Sequence, residues 1–398
     1  MKHSQYKESC LDKEGSKDWK DWHWQLKNAI RGISELNDVL STFTTLRAAS
    51  SPLVEEIAKE EFSFKVTPHM ILALKHALTQ EKEGVWEAFL RSFVPLEDEN
   101  ARLENGDGLD CIGENLPEAN PVPAVSTFYK DRALFRITSM CAAYCRYCFR
   151  RRMIGDGEGA WNEEEIRKGI EYIRDHPKFH EVILSGGDPL ILSDERLAHL
   201  IQALKEVQHV RRLRIDTKVL TMLPQRITEN LVKLLRNNQP FYLIGHFTHP
   251  SELTEDTRDA CRRLADAGVP LRAHTPLLRG INDDEKVLVN LMEDLVDCRV
   301  QPYYLIQFIP TKWTEHFRVP IARGRELAKH LQKTCGGLAN PTYIVYLPGA
   351  SGKVPVTDQY LLRREREGYL FENHQGRQIM YSEPSEPASK IRQIKSHG

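Results

Sequence analysis

No apolar run in this chain approaches the 18 or more residues that a membrane-crossing helix needs. Charge of one sign is not in excess. Lys and Arg number 55 against 56 Asp and Glu, a net of −1, so there is no broad basic field of the kind a general nucleic-acid binder carries. The first 24 residues are polar and Trp-rich and hold no apolar core, so no secretory signal is expected and a cytoplasmic location is. Cysteine is sparse, eight in 398 residues, and in a reducing compartment these read as thiols for metal or redox chemistry rather than disulfides. The G-x4-G-K-[ST] spacing of a nucleotide P-loop is missing.

The composition is that of a globular chain, 41% apolar and 28% charged, long enough for two or three domains or one large α/β barrel plus additions. Residues 1–125 read as a helical region and a connection. Thr67-Pro68 is a helix start, because Thr can cap and Pro fits the first turn. The stretch 95–125 is acidic and rich in Pro, Gly and Asn, the composition of an extended connection. Beyond it, short apolar runs at 133–138, 181–185, 213–217, 241–247, 271–277 and 303–308 alternate with helical patterns. After the first interval the spacing is roughly 30 residues, the pitch of a βα unit, so a parallel α/β barrel or part of one is expected. A further helical pattern at 324–333 leads to the apolar run 343–347 and a Gly-rich turn, within a C-terminal region taken as 311–382, and 383–398 is a polar tail. Barrel chemistry sits after the carboxyl ends of strands. Cys141, then Gly186-Gly187-Asp188-Pro189, then His246 and His249 occupy such places.

Cys141, Cys145 and Cys148 form a C-x3-C-x2-C pattern with Tyr147 before the last thiol. Three thiolates so spaced can ligate three irons of a [4Fe–4S] cluster and leave the fourth iron open to a small molecule. Structural zinc would need a fourth ligand nearby, and the remaining cysteines (Cys10, Cys111, Cys261, Cys298, Cys335) are scattered; buried unligated thiols are the other alternative. The triplet and the βα repeat together resemble the radical S-adenosylmethionine (SAM) superfamily. The resemblance implies a partial (β/α)6 TIM-type barrel over 126–310, with SAM on the open iron. It also places Gly186, Gly187 and Asp188 at the SAM amino group, where glycines allow close approach and an Asp can pair with an ammonium.

Lys353 stands in the turn Pro348-Gly349-Ala350-Ser351-Gly352-Lys353 after an apolar run. Such a lysine can be desolvated and activated toward a carbonyl. Several motifs together resemble the lysine 2,3-aminomutase family: the cysteines followed by Arg150-Arg151-Arg152, Leu223-Pro224-Gln225-Arg226, His246-Phe247-Thr248-His249-Pro250, Leu277-Leu278-Arg279-Gly280-Ile281-Asn282-Asp283, His316-Phe317-Arg318 and the Lys353 turn. The resemblance implies pyridoxal 5′-phosphate (PLP) on Lys353, with Tyr129 and Arg132 at the PLP ring and phosphate. It places Arg150 on the substrate α-carboxylate, where a guanidinium fork fits. Arg151 and Arg152 read as a solvated or structural basic run. The implied reaction moves the α-amino group of a free amino acid to C3, giving a β-amino acid. Other PLP-dependent radical outcomes, decarboxylation or epimerisation, and a non-enzymatic Fe–S electron carrier remain as alternatives.

The chain departs from the family in several places. His274 stands where relatives carry a glutamine near SAM, and Phe128 where they carry an arginine near the PLP phosphate. Ala350 and Ser351 interrupt an all-glycine turn. Asp284 replaces a zinc-binding cysteine and no Cys follows Cys335, so a homo-oligomer without intersubunit zinc is expected. The resemblance implies an external electron donor such as flavodoxin or ferredoxin. The resemblance implies that Ile309 and Tyr346 occupy the two positions that read the substrate side chain, and neither is charged. A lysine ammonium would be buried there without a partner, at a cost of several kcal/mol. A glutamate carboxylate would need Lys312 to bend in. The expected substrate is small, apolar, hydroxylated or aromatic.

Overall fold

The computed structural model describes residues 10–41, 43, 63–80, 84–95, 108, 110–154, 161–357, 361–365, 368–372 and 377–382. The polar tail 383–398 lies outside these.

A nine-stranded sheet runs in chain order: β1 (Val125–Ser126), β2 (Arg132–Thr138), β3 (Glu181–Gly186), β4 (Arg212–Thr217), β5 (Phe241–His246), β6 (Leu271–Leu277), β7 (Gln301–Gln307), β8 (Thr342–Tyr346) and β9 (Lys353–Pro355). β2 to β8 are parallel; β1 and β9 pair antiparallel at the two edges. The six expected units are present, and the parallel sheet continues for one strand more. β8 registers on β7 through Tyr304↔Thr342, Leu305↔Tyr343 and Ile306↔Ile344, so the run before the Lys353 turn is a barrel strand.

Six helices make the crossovers: Glu163–Asp175, Asp194–Lys205, Glu229–Asn237, Glu255–Asp266, Glu285–Asp297 and Ile321–Thr334. Five start on a side chain that accepts an otherwise orphaned N–H: Asn162 (with Glu165 completing a capping box), Ser193, Thr228, Thr254 and Asp284. Each turns an aliphatic stripe onto the sheet, as with the buried Leu197, Leu200, Ile201 and Leu204. The parallel arrangement gathers all carboxyl-end loops on one rim.

The N-terminal region packs on the loops that follow β4 and β5. Helix Pro68–Thr79 starts on Thr67, whose hydroxyl also donates to the Met222 carbonyl at 2.6 Å. Gln25 is fully buried, donating to the Trp19 carbonyl and accepting the His69 N–H, which ties the Trp segment to this helix. A separate antiparallel sheet, β10 (Leu361–Glu365), β11 (Gly368–Glu372) and β12 (Gln378–Ser382), follows the barrel.

Candidate active site

The rim encloses a large cavity lined by Cys141, Cys145, Cys148, Gly186, Gly187, Asp188, Arg150, Tyr129, Arg132, His246, His274, Ile309, Tyr346 and Lys353; His249, also expected at the rim, does not line it. The cysteine loop leaves β2 and is pinned to the next strand by backbone. Gly187 N–H donates to the Thr138 carbonyl at 2.6 Å and Asp188 N–H to the Met140 carbonyl at 2.7 Å. The glycines are required there, because a Cβ at Gly186 would meet Thr138 O at 2.3 Å and one at Gly187 would meet Met140 O at 2.3 Å. Their close approach is thus to the cysteine loop itself. Asp188 is buried and its carboxylate is already engaged: it accepts from the Thr217 hydroxyl, from the backbone N–H of Lys218 and Val219, and from Leu190 N–H. It fastens β3 to β4, so a free carboxylate for an ammonium is not what the turn presents.

Next along the rim, Arg214 and Asp216 share one face of β4 and form a bidentate pair at 2.6 and 2.8 Å. Asp216, His246 and His274 bring one donor atom each within 4.8 Å of one another. That is a possible metal-ligand set, but the Arg214 guanidinium already holds both oxygens of Asp216. Among the described residues neither His246 Nε2 nor His274 Nε2 has a hydrogen-bond partner. Burial lowers His246 to about 4, and burial followed by the Arg214 charge lowers His274 well below the usual imidazole value. Both rings are neutral at pH 7 and can donate or accept toward a ligand.

Lys353 is the first residue of β9. Its N–H donates to the Tyr129 hydroxyl at 2.9 Å, and its Nζ lies 4.1 Å from the Tyr304 ring centre. Burial first, then Arg214, pushes its amine down to about 7. The turn before it uses left-handed backbone at Gly349, Ala350 and Gly352 (φ 66°, 56° and 76°); the alanine carries strain that a glycine would not. Arg132 stacks over the Tyr129 ring at 4.2 Å. Lys312 lies over the Trp313 ring at 4.1 Å and is not part of the cavity wall. Arg151 is buried and Arg152 half-buried, and both are engaged rather than solvated: Arg151 donates to the Arg146 carbonyl, and Arg152 pairs with Asp110 at 3.3 Å.

Residues 135–292 match the radical SAM superfamily model. The chain is 36% identical over 383 residues to the L-lysine 2,3-aminomutase of Acetoanaerobium sticklandii, covering 95% of this chain and 88% of that one. It is 37% identical over 369 residues to the L-lysine 2,3-aminomutase of Fusobacterium nucleatum, covering 92% and 83%. It is 34% identical over 381 residues to the glutamate 2,3-aminomutase of Clostridioides difficile, covering 95% and 85%. The chain belongs to the lysine 2,3-aminomutase family. It is therefore a radical SAM enzyme of the isomerase class, and its family implies a [4Fe–4S] cluster and SAM, with PLP expected.

The aminomutase cavity suits these groups chemically. The three cysteine thiols are pushed up by burial, Cys145 to about 12, so only a bound metal would bring them to the thiolate state. An amine near neutrality beside aromatic rings suits a carbonyl cofactor. Other family motifs turn out to be scaffolding. Asn282 is fully buried and donates to the Thr248 and Pro276 carbonyls while accepting Leu278 N–H, which joins the ends of β5 and β6. Phe317 packs edge-on against Tyr147 at 6.0 Å, behind the cysteines. Arg226 holds the Leu190 and Leu192 carbonyls and Asp194, with Trp22 over its face at 4.7 Å. Sequence reasoning missed Arg214, Asp216 and Glu114. The first two carried a signal, an R-x-D pair at strand period two; Glu114 lay in a stretch that reads as solvated connection.

Proposed function

We propose that this enzyme is a PLP-dependent 2,3-aminomutase of a free α-amino acid with an uncharged side chain, and that lysine is a poor substrate. The observation that carries this is the state of the cavity's carboxylates. Ile309 and Tyr346 line the wall where charge would be needed, and the two acids that line it, Asp188 and Asp216, are each already bonded to protein donors. A side-chain ammonium would enter without a free anion, and Lys312, held on Trp313, supplies no cation for a glutamate carboxylate.

In this reading Arg150 holds the α-carboxylate, Lys353 holds PLP, Tyr129 and Arg132 support it, His274 and the Gly186-Gly187 turn face SAM, and Cys141, Cys145 and Cys148 carry the cluster. When bound, the cluster and SAM supply one-electron hydrogen abstraction at the substrate β-carbon, and PLP supplies the π-system across which nitrogen passes from C2 to C3. The protein's own contribution is orientation and exclusion of water by the apolar wall. An external flavodoxin or ferredoxin as reductant, a cytoplasmic location and a homo-oligomer without intersubunit zinc complete the proposal.

The test is an anaerobic comparison of kcat/KM for the twenty amino acids, with products resolved by mass and chirality. A neutral amino acid converted to its β-isomer is the expected result. Lysine turning over best would overturn the substrate assignment, and a decarboxylated or epimerised product would overturn the reaction.

A further inference from the structure

Glu114 is completely buried and does not line the cavity, whereas Arg150 does. Its carboxylate grips one edge of that guanidinium: Arg150 Nε donates at 3.1 and 3.0 Å and Nη2 at 2.6 Å. Arg150 Nη1 donates to the Ser185 hydroxyl at 3.1 Å and to the Gly186 carbonyl at 3.4 Å. Of five guanidinium N–H groups, one on Nη2 and the long contact to Gly186 remain for an incoming oxyanion. We infer that Glu114 is a positioning residue, which holds Arg150 from behind so that its Nη1/Nη2 edge meets the substrate α-carboxylate.

The loop bearing Glu114 is built for rigidity. Asp110 accepts the N–H groups of Glu114 and Asn115 at 2.9 and 2.7 Å and pairs with Arg152. Gly113 sits at φ 77°, and a Cβ there would meet Ala350 N at 2.7 Å. The Ile112 carbonyl accepts Ala350 N–H at 2.9 Å. One short loop therefore ties the arginine on the β2 side to the turn that carries Lys353. Burial alone would raise the Glu114 carboxyl, but the Arg150 charge and hydrogen bonds win and hold it below the usual range. A free arginine side chain samples many rotamers, and the ion pair removes that freedom before substrate arrives.

This inference rests on the role proposed for Arg150, and its test separates the two. Reconstituted wild type, Glu114→Gln and Glu114→Asp are compared with the best neutral L-amino acid of the screen above and with its carboxamide. Kinetics are followed by turnover and affinity by calorimetric titration. In Glu114→Gln we expect KM and the dissociation constant to rise about ten-fold or more with kcat changed less than about three-fold, and the preference for acid over carboxamide to collapse. Glu114→Asp, charged but one methylene shorter, should fall between, and it decides the matter if Glu114→Gln does not fold. A wild type with no preference for the acid overturns the Arg150 role and the inference with it. A wild-type preference retained undiminished in the variants overturns the inference alone.

Discussion

Tyr346 stands directly opposite Lys353 in the antiparallel ladder between β8 and β9. The lysine Nζ is 5.9 Å from the Tyr346 ring centre and 4.1 Å from that of Tyr304, so the amine emerges between two aromatic faces. The residue proposed to attach the cofactor and the residue proposed to face the substrate side chain are thus held by one pair of strands, and a shift in either moves both.

The first prediction concerns pH. Burial and Arg214 lower Lys353 to about 7. Only the neutral amine attacks a carbonyl, so PLP attachment, read by borohydride trapping, should rise through pH 7 and be flat by about pH 9. An attachment rate still rising toward pH 10 would contradict this. The sign for stability follows from the same shift: the unfolded chain holds this proton more tightly, so the apo protein gains stability as pH rises from 7 toward the ordinary lysine value. Lys353→Met should flatten that part of the stability curve.

Gly187 supports the second. Its Cβ would lie 2.3 Å from the Met140 carbonyl oxygen and 2.7 Å from the Ser139 carbonyl carbon, both backbone. Gly187→Ala should push the cysteine loop off β3, cost about 1–3 kcal/mol, and reduce iron incorporation while PLP trapping on Lys353 survives. Full iron loading in this variant would show that the β3 contact does not position the thiols. Changing Cys141, Cys145 or Cys148 to Ala should abolish SAM cleavage outright.

What was legible in the chain, and what was not, follows from the range of the interactions. The six βα units announced themselves because periodicity and caps such as Asn162 and Ser193 are local signals. β8 was visible as an apolar run, but its place in the same sheet depends on pairing with β7, which no local pattern encodes. Glu114 was hidden because a charged residue in an acidic, Pro-rich stretch is ordinarily solvated, and its partner lies 36 residues away. Asp188 was visible as a site residue, but its four donors come from the end of β4, the two residues after it and its own turn, so its structural duty showed only in three dimensions.

Asn282 yields the third. Removing its side chain strands the buried Thr248 carbonyl and the Leu278 N–H, and takes a donor from the half-buried Pro276 carbonyl. Each unsatisfied buried group costs about 1–3 kcal/mol, so Asn282→Ala should lower the urea midpoint markedly. Substrate KM in the variant, measured below its transition, should stay near the wild-type value. A changed KM with an unchanged midpoint would instead assign Asn282 to the binding site.

The last prediction is a gain of function. If lysine is rejected because no free carboxylate faces its ammonium, supplying one should admit it. Ile309→Asp is the cleaner change, since at Tyr346 the Arg214 guanidinium would compete for a new carboxylate; its charge already acts on that side chain. An ion pair that offsets one ammonium's desolvation by about 1.4 kcal/mol raises kcat/KM for lysine ten-fold. We therefore expect Ile309→Asp to raise lysine turnover by at least about that factor while depressing neutral substrates. The double change with Tyr346→Asp should go further and should also alter the Lys353 environment across the ladder, seen as a shifted pH dependence of PLP attachment. If both variants lose the neutral substrates without gaining lysine, Ile309 and Tyr346 merely pack the wall and specificity is set elsewhere in the cavity.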